Sequence, residues 1–170
     1  MFSNYSKRSQ SAGFAKPAEL SDSDLRVAAI NLLSRREYSL HELFQKLEPR
    51  SKSETQVHNL LEKLVEAGYQ SDQRFAESFL RSRINRGLGP MRIQRELKDK
   101  GINPHLIEQV FSEEIDWFHH AFESGLKKSN NLDLGDYKDK QKLYRYLAYR
   151  GFAMDQIQYA IEQFQEISRT

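Results

Sequence analysis

The sequence contains no cysteine. That absence excludes disulfides and thiolate metal sites and fits a reducing compartment. Long apolar runs are missing too. No window approaches the ~18 apolar residues of a membrane span, and the N-terminal stretch lacks an apolar core of signal-peptide length. A soluble, cytoplasmic protein with no membrane contact is expected. Phosphate loops are absent as well. The eight glycines (Gly13, Gly68, Gly87, Gly89, Gly101, Gly125, Gly135, Gly151) never frame a Gly-Lys-Ser/Thr loop, and no dinucleotide fingerprint follows a strand because no strand is predicted. The five histidines (His41, His58, His105, His119, His120) are scattered. His119 and His120 are adjacent, so a helix points them about 100° apart, and without cysteine a zinc site would need distant carboxylates. Acidic pairs such as Glu113-Glu114 have nothing apolar beside them to raise a pKa for acid–base work. Neither catalysis, a metal nor a cofactor is therefore expected.

What remains is a chain of helix signals. At 170 residues, 38% apolar and 29% charged, it can fold as one ordinary domain or as a few small units. Residues 1–20 carry serines with Lys7, Arg8, Lys16 and Pro17, show no periodicity, and read as a flexible basic tail. An ordered start is expected near Ser21. Capping signals then recur: Ser21 to Asp24 before a helix on Leu25, Ala28, Ala29, Leu32 and Leu33, Ser39 with Glu42, and Ser53 with Gln56. Val57, Leu60, Leu61, Leu64 and Val65 line a third helix. Phe75, Ala76, Phe79, Leu80 and Ile84 line the next, and Gly87-Leu88-Gly89-Pro90 then breaks the pattern. Pro90 suits the first turn of a helix on Ile93 and Leu97, which Gly101 ends as an αL cap. Asn103-Pro104 opens a further helix. Trp117, Phe118, Ala121, Phe122 and Leu126 mark the seventh, with two more after the polar loop from Lys127 to Asp136.

A period of 50 runs through these signals. Leu43, Ile93 and Leu143 obey it, as do Leu47, Leu97 and Leu147, then Val57, Ile107 and Ile157, then Leu61, Phe111 and Ile161. Leu25 and Phe75 share it, whereas the seventh helix looks shifted, with Phe118 seven residues early. The expectation is an all-α fold of three tandem three-helix repeats in an elongated array, spanning residues 21–67, 68–112 and 113–170.

Charge is concentrated in the middle. Between Arg81 and Lys100 stand seven basic residues (Arg81, Arg83, Arg86, Arg92, Arg95, Lys98, Lys100) against Glu96 and Asp99, a net +5 in a chain of net +2. The third repeat adds Lys138, Lys140, Lys142, Arg145 and Arg150, with Tyr144, Tyr146 and Tyr149 among them. The bland reading is a solvated face with Arg92–Glu96 and Arg95–Asp99 pairs. The functional one is a basic strip that meets phosphates or an acidic protein surface. Arg81, Arg83 and Arg86 have only Glu77 nearby in sequence, so reversing their charge is expected to leave the fold intact. Gly87 to Pro90 reads either as a tight turn or as a helix N-terminus aimed at a phosphate.

These blocks together resemble a known family. Gly68-Tyr69, Asp72, Phe75-Ala76, Arg83, Gly87-Leu88-Gly89-Pro90, Arg92-Ile93, Glu96-Leu97 and Lys100-Gly101-Ile102 are similar to the signature of RecX proteins, regulators of the RecA recombinase. The run Leu33 to Ser39 with Glu42-Leu43 resembles the family's first repeat. Asp116-Trp117 and Tyr149-Arg150-Gly151-Phe152 with Ile157 resemble its third. Gln70-Ser71 departs from the family's commoner Leu followed by an acid or Asn. The resemblance implies a non-enzymatic, monomeric regulator in DNA recombination, repair and the SOS response. Such a protein binds the RecA filament on DNA, touches single- or double-stranded DNA weakly, and inhibits ATPase, strand-exchange and coprotease activities. The alternative is a helical module acting directly on nucleic acid. Binding candidates, chosen by charge and expected exposure, are Arg81, Arg83, Arg86, Arg92, Arg95, Lys98, Lys100, Lys142, Arg145 and Arg150.

Overall fold

A computed structural model describes residues 19–112 and 114–167 of the chain. Most of the tail expected over residues 1–20 lies outside the described residues. Within them the chain forms helices α1 (Asp22–Leu33), α2 (Leu40–Leu47), α3 (Glu54–Glu66), α4 (Asp72–Asn85), α5 (Pro90–Asp99), α6 (Pro104–Phe111), α7 (Trp117–Ser129), α8 (Tyr137–Arg150) and α9 (Met154–Ile167). One short 3₁₀ turn, Glu48–Arg50, follows α2 at Pro49. No strand occurs among the described residues.

The helices start where short polar side chains accept an otherwise orphaned amide. Ser21, Ser39, Ser53 and Ser71 each accept the N–H three residues on, at 3.1–3.2 Å. Asp116 and Asp136 do so for α7 and α8, and Asn103 Oδ1 accepts the His105 N–H, two residues on, at the start of α6. Leu20, assigned to the tail by its sequence, belongs to the folded part: its N–H donates to the Arg50 carbonyl at 2.8 Å and its side chain packs on the first core.

Each set of three helices encloses its own apolar cluster. The positions 50 apart are the centres of these clusters: Leu43, Ile93 and Leu143 are inaccessible, as are Leu97 and Leu147, and Leu47 is nearly so. Trp117 packs against both the second and third clusters and stacks on Phe111 with centroids 5.8 Å apart. The seventh helix corrects the sequence reading. Ala121 is buried and Trp117 and Phe122 pack on the third cluster as expected, but Phe118 is 42% exposed and Leu126 equally so, and Gly125 faces inward instead. Gly125 stands 50 residues after Phe75, so the period continues with no side chain to show it. A Cβ there would lie 2.9 Å from Phe164 Cε2. The phenyl ring occupies that space and stacks on Phe122 at 4.6 Å.

The units join end to end through their second helices. At the first joint Ser39 Oγ, at the start of α2, donates to the Lys100 carbonyl at the end of α5 (2.8 Å). Leu40 N–H donates to Asp72 Oδ1, and the buried Gln70 donates to both the Tyr38 carbonyl and Asp72. The departure at Gln70-Ser71 thus has a structural use: Gln70 ties the units together and Ser71 caps α4. At the second joint, 50 residues on, Gly89 N–H donates to the Arg150 carbonyl (2.8 Å) and Met91 N–H to that of Gly151 (3.0 Å). Orphan donors at one helix start meet orphan carbonyls at another helix end, with the dipoles in favourable order. Close approach requires glycine: a Cβ on Gly89 would strike the Gly151 backbone, and Gly151 itself has φ +93°.

Candidate functional site

The ten cationic candidates fall into distinct groups once their partners are known. Arg83 bonds Glu96 at 2.7 Å and lies 4.1 Å from the Phe79 ring centroid, so it links α4 to α5. Arg92 takes the other oxygen of Glu96 at 2.9 Å. Burial pushes the Glu96 carboxyl up, but the hydrogen bonds from Arg83 and Arg92 together outweigh it and hold the group below its ordinary pKa. Lys100 reaches across the first joint to Glu42 at 2.8 Å, which Arg36 also binds at 3.0 Å. There too burial raises the carboxyl pKa and the two cations more than reverse the effect.

Arg150 is a clamp at the second joint. Its Nη1 donates to the carbonyls of Arg86 (2.7 Å) and Gly87 (3.1 Å) over the Tyr146 ring, and Ser124 Oγ donates to Gly87 as well. The phosphate reading of Gly87 to Pro90 fails here, because the Gly89 and Met91 amides are already given to the Arg150 and Gly151 carbonyls at the end of α8. Lys142 pairs with Asp139 at 2.7 Å, and that hydrogen bond is the main cause of the depressed Asp139 pKa.

The remaining candidates face solvent. Arg81, Arg86, Arg95 and Lys98 are exposed, and among the described residues no hydrogen bond or ion pair engages their side chains. The Arg95–Asp99 pair anticipated from spacing is not formed, whereas Arg92–Glu96 is. Arg145 is exposed and bonds only the Gln141 carbonyl of its own helix.

The candidate cations do not make one strip. The free Arg86 lines a recess of about 460 Å³ between the first two units, together with the engaged Arg83 and Lys100 and with Arg36, Glu37 and Glu42. Arg95 and Lys98 lie instead on the outer side of α5, with Met91 one turn before. On α8 the outer side carries Lys138, Lys142, Arg145 and Tyr149 at the same helical spacing. The second joint brings these two sides together: Met91 N–H bonds Gly151, and the Arg92 guanidinium sits 5.4 Å from the Tyr149 ring centroid. The result is a basic ridge from Lys138 to Lys98 with Tyr149 and Met91 at its middle. Of the tyrosines that the sequence places among the third repeat's cations, Tyr149 lies on the ridge; Met91, which sequence reasoning missed, becomes part of it only because α8 abuts α5. Tyr144 and Tyr146 are half-buried. A separate groove of about 760 Å³ in the first unit, lined by Leu40, Phe44, His58, Leu61 and Val65, is apolar and carries none of these cations.

Comparison with known proteins agrees with this architecture. Residues 71–110 match the family model described as RecX, second three-helix domain, and residues 114–161 match RecX, third three-helix domain. The "Regulatory protein RecX" of Legionella pneumophila (strain Corby) is 45% identical over 131 residues, covering 76% of this chain and 87% of the relative. That of Acinetobacter baylyi is 42% identical over 149 residues, covering 88% and 93%. A crystal structure of RecX from Lactobacillus salivarius has the same fold, with TM-score 0.72 and 24% identity over 85% of this chain and 97% of that one. With its three-helix units, its period of 50 and relatives of this similarity along most of its length, the chain belongs to the RecX family of regulatory proteins.

Proposed function

We propose that this protein binds the assembled RecA filament on DNA and inhibits its ATP hydrolysis, strand exchange and coprotease activities, acting as a cytoplasmic monomer without catalysing a reaction. The observation that carries this reading is the basic ridge across the second joint of a RecX-family chain. Its free cations suit a polyanionic partner, while the engaged ones serve the fold. The working units are residues 21–67, 68–112 and 113–170, with the middle unit as the principal anchor. A tandem array touches neighbouring filament subunits at once, so weak contacts add through effective concentration. A free RecA monomer offers one such contact and binds far less well.

Co-sedimentation with a preformed RecA filament tests this directly. The protein should pellet with the filament and remain in solution with RecA monomer. Equal binding to both would reject the reading. The ridge also supports a second reading, direct action on nucleic acid. Bare single strands, bare duplex and filament compared at one salt concentration separate the two, since the direct module would bind duplex as well as filament.

A further inference from the structure

We propose that the middle of the ridge is a stacking site for an unpaired base, with single-stranded nucleic acid lying along α8 and α5 and Tyr149 as its platform. The proposal deepens the filament reading by naming the chemistry that the ridge takes, and it rests on that reading for its setting.

Tyr149 is 78% exposed although it stands at a packed joint, and Met91 beside it is 61% exposed. An aromatic ring left open to water at the meeting point of two helices has no role in either core. One side of the ring is occupied by the Arg92 guanidinium, 5.4 Å from its centroid, and Nη1 of that group reaches the Tyr149 carbonyl at 3.5 Å. Arg92 is itself fixed by Glu96 at 2.9 Å. The platform is therefore held by a cation with an anchored position, and the ring retains enough exposure to take a second planar group. Along α8, Arg145 lies one turn before Tyr149 and Lys142 about two turns before it, on the same face. Past the joint, Arg95 and Lys98 continue along α5. A strand with one base on Tyr149 would find cations for its phosphates on both sides, the arrangement that single-strand binders use.

The acids nearest the ridge are spent or few. Asp139 is bound by Lys142 and Glu96 by two arginines, which leaves Asp99 as the exposed acid of α5. The large exposed apolar side chains at the joint are Tyr149 and Met91, with Met154 three residues past Gly151, fewer than the continuous apolar patch of a stable protein interface holds. Duplex DNA presents no free base face in mid-helix, so the site selects unpaired strands.

The test compares a short oligothymidylate with an abasic strand of equal length, by fluorescence anisotropy on the full chain. The wild type should bind the thymidylate more tightly. Tyr149→Ala should lose about ten-fold on thymidylate and little on the abasic strand, while Tyr149→Phe keeps the difference. Arg145→Gln should flatten the salt dependence of both strands by ~0.7 in log–log slope. Equal wild-type binding to the two strands, no binding to either, or undiminished thymidylate binding by Tyr149→Ala would each overturn the proposal. Circular dichroism checks that Tyr149→Ala is folded. If this variant binds strands normally but leaves the RecA filament, the ridge is a protein contact and the stacking site is wrong. Inhibition of RecA ATPase is read separately: its absence in the wild type would strike the filament reading and leave base stacking standing.

Discussion

The two joints of this array solve one geometric problem with different chemistry. At both, the end of one unit's second helix meets the start of the preceding unit's second helix, and the participating residues lie 50 apart: Ser39 and Gly89 on one side, Lys100 and Arg150 on the other. The first joint uses side chains, with Ser39, Asp72 and Gln70 making hydrogen bonds and Glu42 accepting two cations. The second uses main chain against main chain, made close enough by Gly89 and Gly151 and braced by Arg150 on two carbonyls. Each joint is therefore vulnerable to a different change. Side-chain joints respond to pH and to loss of a carboxylate, whereas a glycine-to-glycine contact responds to added bulk.

The largest effect is expected where neither joint differs from the other, in the core of the middle unit that both share. Leu97→Ala removes a fully buried side chain and should cost ~2–5 kcal/mol in denaturant unfolding. A near-neutral result would contradict the placement of α5. Next come the glycines. Alanine at either site meets a left-handed backbone, φ +76° at Gly101 and +93° at Gly151, a strain of roughly 1–2 kcal/mol. Gly151→Ala should cost more, because its new methyl meets the Arg92 backbone as well as its side chain, while at Gly101 it meets the His41 side chain, with Cβ at 2.6 Å. Equal costs would mean that the second joint opens as readily as the first.

Smaller effects separate the polar contacts. Arg150→Ala should raise hydrogen exchange at the Gly89 and Met91 amides and destabilise by about 1.5–3 kcal/mol. Ser39→Ala should cost about 1 kcal/mol and loosen the start of α2 instead. The smallest is a pH effect. Glu42 has its folded pKa depressed, so its contribution to stability is present above the ordinary carboxylate pKa and is lost as pH falls through the depressed value. Acidification below about pH 4 should therefore loosen the first joint before the second. Glu42→Gln should remove that acid-induced difference, and hydrogen exchange at the two joints reads it.

Much of the fold was legible because large apolar residues at a fixed period leave a strong mark. Leu43, Ile93 and Leu143 revealed three equivalent helices, and the serine caps marked where helices begin. The seventh helix was misread in part for the opposite reason: beside the expected Ala121 its inward position is Gly125, whose burial leaves no hydropathic trace, while the conspicuous Phe118 lies at the rim against Tyr159. Helical spacing also reports which residues share a face, not what that face meets. The Arg83–Glu96 pair spans a turn between two helices, so neighbours in sequence gave Arg83 only Glu77. Reversing Arg83 together with Arg81 and Arg86 would break that link, so this triple change mixes a fold contact with two free cations. The candidate site was legible as an excess of charge. Its division into cations that hold the fold and cations left free needed the joints, because a joint decides which helix ends lie side by side.

The division between fold-holding and free cations is tested most directly by RecA's DNA-dependent ATP hydrolysis against added protein. The variant to use reverses only free ridge cations, Arg95→Glu with Lys98→Glu and Arg145→Glu, and circular dichroism verifies its helix content. If the free cations carry the interaction, the variant is folded and no longer inhibits hydrolysis. A folded variant that inhibits as well as the wild type would contradict it.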